Sequence, residues 1–204
     1  MPWILSRLAA KTDEEEALRF MVAHLSDEEA EGALRDLVQN HLLQLLTLLF
    51  MEPPIHFNAD EIRSEKVKVL HAIQPPRLEE VAAMSVRGQY SAGVVGGEPV
   101  PGYLEEEGVA PESATETYAA LRLEVDSWRW AGVPIYLRTG KRLARKVTEI
   151  AVVLKPVPHL AFEAEGSIGV QPNQLVLTMQ PNEGVSLSIG AKIPGTRMRI
   201  RPVN

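Results

Sequence analysis

The sequence predicts an α+β domain in which N-terminal helices pack on a mostly antiparallel sheet. Apolar residues recur at helical spacing through the first third of the chain. Beyond about Val81, short alternating runs take over, punctuated by Gly, Pro and Asn turn chemistry. Those runs follow one another with few helices between them, which favours antiparallel pairing and an α+β layout.

The first helix is expected from Thr12 to Leu25. Asp13, Glu14, Glu15 and Glu16 open it at the positive end of the helix dipole, and Leu18, Met21, Val22 and Leu25 follow at helical spacing. Ser26-Asp27-Glu28-Glu29 resembles a capping box, so a second helix is expected from there to about Met51. Leu34, Leu37, Val38, Leu42, Leu45, Leu46 and Leu49 form its stripe. Leu43, Leu48 and Phe50 widen the stripe, as in a helix buried nearly all round. Pro53-Pro54 ends it. A third helix fits Ala59 to Ile73, capped by Asn58 or Asp60 and stopped before Pro75-Pro76.

Strands are expected at Val86 to Tyr90, Thr115 to Val125, Ile135 to Arg138, Thr148 to Lys155, Gln174 to Met179 and Gly184 to Ile189. Ser91 to Gly108, rich in Gly, Pro and Glu, reads as a long exposed loop.

Composition excludes several classes. The net charge of -6 opposes a general nucleic-acid or anionic-membrane binder, which needs a basic face. There is no cysteine, hence no disulfide framework and no thiolate metal site. No apolar run approaches the ~18 residues of a membrane span, and the N-terminus lacks the ordered regions of a signal peptide. The expectation is a cytoplasmic protein with no membrane or nucleic-acid partner. His24, His56, His71 and His159 lack metal-ligand spacing. Gly93, Gly96 and Gly97 lack the strand-to-helix context of a nucleotide cradle. Trp128 and Trp130 are expected to pack the sheet.

Three stretches go beyond periodicity. The first is Arg35-Asp36-Leu37-Val38-Gln39-Asn40-His41-Leu42-Leu43-Gln44, with Met51-Glu52-Pro53-Pro54 after it. The second is Ile62-Arg63-Ser64-Glu65-Lys66-Val67-Lys68-Val69-Leu70. The third is Trp128-Arg129-Trp130-Ala131-Gly132-Val133-Pro134, continuing as Tyr136-Leu137-Arg138-Thr139-Gly140-Lys141-Arg142-Leu143. In this order and spacing they resemble glucose-6-phosphate dehydrogenase. Val86-Arg87-Gly88-Gln89-Tyr90, Val100-Pro101-Gly102-Tyr103, Thr115-Glu116-Thr117 and Gln180-Pro181-Asn182-Glu183-Gly184 extend the likeness, which covers about Gly32 to Asn204.

The resemblance implies a partial C-terminal, substrate-binding and oligomerising domain at residues 32–204, preceded by a helical leader at residues 1–31 that does not match the family. The family's Gly-rich coenzyme turn and its Asp-His-Tyr-Leu-Gly-Lys-Glu stretch have no counterpart here, so the Rossmann domain is expected to be absent. The implied activity is NADP-dependent oxidation of glucose 6-phosphate to 6-phospho-D-glucono-1,5-lactone, the first step of the pentose phosphate pathway. The implied partners are glucose 6-phosphate and a second copy of the chain, joined through the sheet.

Site residues follow residue by residue. His41 matches the family's base, and an imidazole suits proton abstraction near neutral pH. Read alone, a single His on an apolar helix is usually a satisfied core residue. Asp36 matches a residue that hydrogen-bonds sugar hydroxyls. It precedes His41 by five positions, about 140° away on an ideal α-helix, so the two are expected on different faces. Lys141 and Lys146 match basic substrate contacts, and Gln180 matches a polar one. The plain alternative for Arg138, Lys141, Arg142, Arg145 and Lys146 is a solvated basic edge. For Gln180 it is a turn residue before Pro181. Three functions stay open on these residues: an enzyme, a non-catalytic remnant of one, or an oligomerisation and sugar-phosphate-binding module.

Overall fold

The computed structural model of the chain describes residues 19–24, 32–156, 171–192, 194 and 200–203. Its strands are β1 (Arg19–His24), β2 (Ser85–Gly88), β3 (Gly93–Val95), β4 (Glu98–Val100), β5 (Tyr118–Leu123), β6 (Ile135–Gly140), β7 (Thr148–Val153), β8 (Gln174–Gln180), β9 (Gly184–Lys192) and β10 (Ile200–Val203). Eight of them form one sheet in the order β10-β9-β8-β7-β1-β6-β5-β2, and β3 and β4 form a separate hairpin. Every neighbouring pair is antiparallel except β1 with β6.

The expected first helix is corrected at its end. Arg19–His24 is a strand, wedged between β6 and β7 and paired with both. The run Phe20-Met21-Val22-Ala23 is too short for periodicity to tell helix from strand. Two waiting ladders decide it, because each supplies backbone partners that a helix would leave unused. The expectation of a purely helical leader at residues 1–31 therefore fails at this segment. The residues before Arg19 and the Ser26–Glu29 capping box lie outside the described residues.

The second helix is also different in kind. Leu34–Leu42 is a π-helix that continues as the α-helix α1 (Leu43–Phe50). The wide bonding is explicit: Val38 N–H donates to Ala33 O at 3.1 Å, and Leu43 N–H donates to Val38 O. The buried positions step accordingly, five residues from Ala33 to Val38, then four each to Leu42, Leu46 and Phe50. They meet Ala119, Val125, Ile135, Leu137 and Ile150 of the sheet in one core. Leu42, Leu46, Ile135 and Leu137 are fully buried, which stabilises the fold by about 1.5–3 kcal/mol per side chain. The helix covers one sheet face and is not buried all round, since Leu48 is 48% exposed.

Both ends of this long helix are held by the segments that flank β5. At its start, Ala33 N–H donates to Glu116 O and Leu34 N–H to Glu116 Oε1, each at 3.0 Å. At its finish, Trp130 Nε1 donates to Phe50 O at 3.0 Å and its ring lies 4.4 Å from the Phe50 ring. Arg129 adds a two-pronged bond to Glu52, 2.8 Å on each side, which holds the Glu52 carboxyl below its ordinary range. Trp130 packs the helix end and the helix–sheet core, whereas Trp128 is fully exposed and does not pack the sheet as expected.

Helix α2 (Ala59–Ala72) matches its expectation, with Asn58 Oδ1 accepting from Glu61 N–H at 2.9 Å. Its end is tied to the sheet by an Ile73–Val125 bridge. A four-residue helix, α3 (Val81–Met84), precedes β2. The expected loop after Tyr90 contains the β3–β4 hairpin, which turns through Gly96 and Gly97 at φ 62° and 92°, and a 3-10 turn at Tyr103–Glu105. Strand β10 had no signal of its own in the sequence.

The α2 cap carries a pH signature. The His56 backbone N–H first, then the His56 ring and Asn58, hold the Glu61 carboxyl below its ordinary value of 4.5. A depressed carboxyl stabilises the fold above its unfolded value, and that stability is lost as pH falls through the lower folded value. Amide exchange at His56 should therefore accelerate below pH 4.5. In Glu61→Gln it should be fast throughout and insensitive to pH in that window once the intrinsic rate is divided out. A wild-type amide equally protected on both sides of the window would refute this.

Candidate functional site

One end of the sheet collects most of the residues singled out above. Strand β6 finishes at Gly140, opposite Tyr118 where β5 begins. The next residue is Lys141, whose N–H donates to Thr117 O at 2.8 Å. On the far side of β1, strand β7 begins at Thr148, opposite Gln180 at the finish of β8. Lys146 lies two residues before Thr148. Lys146 and Gln180 are exposed and Lys141 is half-buried. From Gly140 to Gln180 is three strand spacings, about 14 Å.

The π-helix starts at the same end, because Glu116 immediately precedes the Thr117–Tyr118 turn into β5. That brings position 36, in the first turn, toward the lysines. His41 sits farther along, in the last turn of the π-helix, and is exposed. The expected separation of Asp36 and His41 was drawn on an α-helix, whereas the backbone here follows an i→i+5 ladder. The 140° offset belongs to an α-helix, which this segment is not.

The close approach of β5 and β6 at this end depends on glycine. A Cβ at Gly140 would lie 2.7 Å from Tyr118 Cδ2 and 3.4 Å from Thr117 O. Tyr118 is itself packed beside Ala120, Tyr136 and Val86, so its ring has little room to yield. Burial pushes its hydroxyl above the ordinary tyrosine value, against the opposing effect of Arg138. Arg138 belongs to the helix-free face and not to this end cluster. Its Nε and the Tyr136 Oη are buried without a hydrogen-bond partner among the described residues.

The basic run is not simply a solvated edge. Arg142 pairs with Glu106, donates from Nη1 to Pro101 O at 3.3 Å and lies 4.8 Å over the Tyr90 ring. Tyr90 Oη donates to the same Glu106 oxygen at 3.1 Å and meets Tyr103 edge-on at 5.8 Å. Arg142 adopts φ 53°, a left-handed backbone that costs a side-chain-bearing residue about 1–2 kcal/mol. Arg145 lies 3.7 Å from Glu149. Sequence reasoning missed Tyr90, Glu106, Arg142 and Glu116 as working parts. Family-like words around Tyr90 and Glu116 were the available signal, but their partners lie 52 and 82 residues away.

Electrostatics favour an anion at this end, by way of the lysines. The first-turn N–H of Leu34 is taken by the Glu116 carboxylate, so the helix dipole is already answered from within. Lys141 and Lys146 both lie on the loop that joins β6 to β7 and bring positive charge to this end. Among the described residues, no three His, Asp or Glu side chains are grouped as a metal site.

The arrangement defines an α+β domain whose mostly antiparallel sheet is covered on one face by a long helix and carries a lysine-bearing polar end. The chain belongs to the glucose-6-phosphate dehydrogenase C-terminal domain family, whose model matches residues 28–204. It is 53% identical over 173 residues to glucose-6-phosphate 1-dehydrogenase 2 of Mycobacterium tuberculosis, covering 85% of this chain and 33% of that protein. It is 51% identical over 176 residues to glucose-6-phosphate 1-dehydrogenase of Bacillus subtilis, covering 86% of this chain and 36% of that protein. Among solved structures, a glucose-6-phosphate dehydrogenase in complex with its substrate glucose-6-phosphate aligns with a TM-score of 0.74, at 35% identity over 97% of this chain and 40% of that one. The chain thus spans about a third of the length of the curated relatives it matches.

The Gly140 contact is directly testable. Gly140→Ala should displace the Tyr118 ring and destabilise the chain by about 1–3 kcal/mol, the usual cost of overpacking. Urea melts of the two proteins measure this. Equal midpoints would show that the β5–β6 end has slack.

Proposed function

We propose that this chain supplies the sugar-phosphate half of a glucose-6-phosphate dehydrogenase site. The reading is carried by the convergence at one sheet end of Lys141, Lys146, Gln180 and the helix start bearing Asp36, with His41 on the same helix. Lys141 and Lys146 hold the phosphate as point charges. Gln180 and Asp36 bond sugar hydroxyls, and His41 accepts the proton of the C1 hydroxyl as the hemiacetal is oxidised to the lactone. The product is 6-phospho-D-glucono-1,5-lactone, formed at the entry to the pentose phosphate pathway in the cytoplasm.

The family implies NADP as hydride acceptor. The described residues do not fit that group: the glycines with left-handed backbone at Gly96 and Gly97 turn a hairpin, not a strand into a helix. No step through the coenzyme is therefore assigned to them, and the coenzyme-binding part of the reading lies outside these residues. The 204 residues alone should give no NADPH on incubation with glucose 6-phosphate and NADP. Joined to the coenzyme-binding region of a relative, they should turn over. In that enzyme, His41→Asn should lower kcat by roughly 10²–10⁴-fold with little change in affinity. Lys141→Ala should chiefly raise KM, by about 10–100-fold. Near-normal kcat without the imidazole, or an unmoved KM without the lysine, would reverse the respective role.

A second role for the sheet is favoured by its apolar strip. Val185, Leu187 and Ile189 alternate along β9 and are 70%, 50% and 43% exposed, and Val203 of β10 lies opposite Ile189. Residues two apart share a face, so these four form one exposed patch. A second copy of the chain is the proposed occupant. Sedimentation at tens of micromolar should show dimers or larger species, and Leu187→Glu should shift the population to monomer. A wild-type monomer at that concentration would contradict it.

A further inference from the structure

The strained turn after β6 is held at two successive residues, Lys141 and Arg142. On one side, the Lys141 N–H is held by Thr117 O at 2.8 Å. On the other, the Arg142 side chain is held by Glu106, Pro101 O and the Tyr90 ring. We propose that Tyr90, Glu106 and Arg142 act as a positioning clamp that fixes the Lys141 turn for its anionic ligand. The inference rests on the sugar-phosphate reading above and names what sets its affinity.

Arg142 keeps a left-handed backbone that a non-glycine residue leaves unless its surroundings impose another conformation. The imposing contacts converge on one carboxylate, because Glu106 Oε1 receives both the Tyr90 hydroxyl and the Arg142 guanidinium. The pair is partly shielded, chiefly on the Glu106 side, with side-chain exposures of 31% for Arg142 and 18% for Glu106. The clamp also reaches the loop that carries the β3–β4 hairpin. Tyr103 N–H donates to Tyr90 O at 3.0 Å, and Gly102 N–H donates to Glu105 Oε2 at 3.0 Å. Space there is tight, since a Cβ on Gly102 would come 3.0 Å from Ala92 N. A folded loop of this kind is a firm abutment, and a lysine set on a fixed turn loses less freedom when it closes on a phosphate.

The test uses the 204-residue chain and glucose 6-phosphate as the probe, followed by NMR chemical-shift titration. Wild type, Lys141→Ala, Arg142→Ala, Glu106→Gln and the Lys141→Ala/Arg142→Ala double variant are compared, with the exchange rate of the Lys141 amide as a second readout. Arg142→Ala should weaken binding by about tenfold, the scale on which a misplaced group is felt, and should speed exchange of that amide. Glu106→Gln, which keeps its size, should do the same to a smaller degree. The double variant should bind no more weakly than Lys141→Ala alone, because the clamp works through the lysine. Full additivity, or Arg142→Ala binding like wild type while Lys141→Ala is weakened, overturns the clamp and leaves the sugar-phosphate reading standing. Wild type that binds no glucose 6-phosphate, or Lys141→Ala that binds as wild type, overturns that reading and the clamp with it.

Discussion

Glu116 holds the start of the long helix, and the rest of the site depends on that grip. A helix begins with backbone N–H groups that have no partner of their own. Here the Ala33 and Leu34 donors are met by the carbonyl and the carboxylate of one residue at the mouth of β5. The contact fixes where the helix crosses the sheet and therefore where positions 36 and 41 come to lie. Gly32 makes it achievable: a Cβ there would fall 2.5 Å from Glu116 Oε1. A capping carboxylate is worth about 0.5–2 kcal/mol, less than one fully buried leucine, so its role is placement more than stability.

The opposite end of the helix is fixed by different chemistry. Phe50 is buried against the Trp130 ring, and the Trp130 indole N–H satisfies the Phe50 carbonyl. Apolar area supplies the energy there and the hydrogen bond supplies direction. Between the two anchors, the buried positions from Ala33 to Phe50 pack on Ile135, Leu137 and Ile150. The ladder widens just where the spacing from Ala33 to Val38 needs an extra residue. The polar end of the sheet thus rests on a core that is stiff because it is closely packed.

Some of this was legible residue by residue. The Asn58 cap was, because capping is a contact over three positions. So were the strands from Tyr118 to Lys192, because alternation and turn residues are local signals. Lys141, Lys146 and Gln180 were named through family-like words, and the strand ends at Gly140, Thr148 and Gln180 lie at one end of the sheet. Arg142 was left open between a solvated edge and an anion-facing cluster because nothing near it announces a partner; Glu106 lies 36 residues earlier. The Arg19–His24 strand was read as helix because its pairing partners begin more than 100 residues later.

By itself, the sequence determined the α+β class, the Asn58 cap, the proline breaks after Phe50 and Ile73, most strand positions and the family likeness. Each rests on periodicity, turn chemistry or short ordered words, which act over a few residues. Only the tertiary structure decided that residues 19–24 complete the sheet, that the helix opens as a π-helix, that Glu116 caps it and that Arg142 is clamped. Those outcomes are set by contacts between distant segments. Backbone groups take whichever partners the assembled sheet offers, and a side chain such as Arg142 takes a strained conformation when several fixed neighbours hold it there.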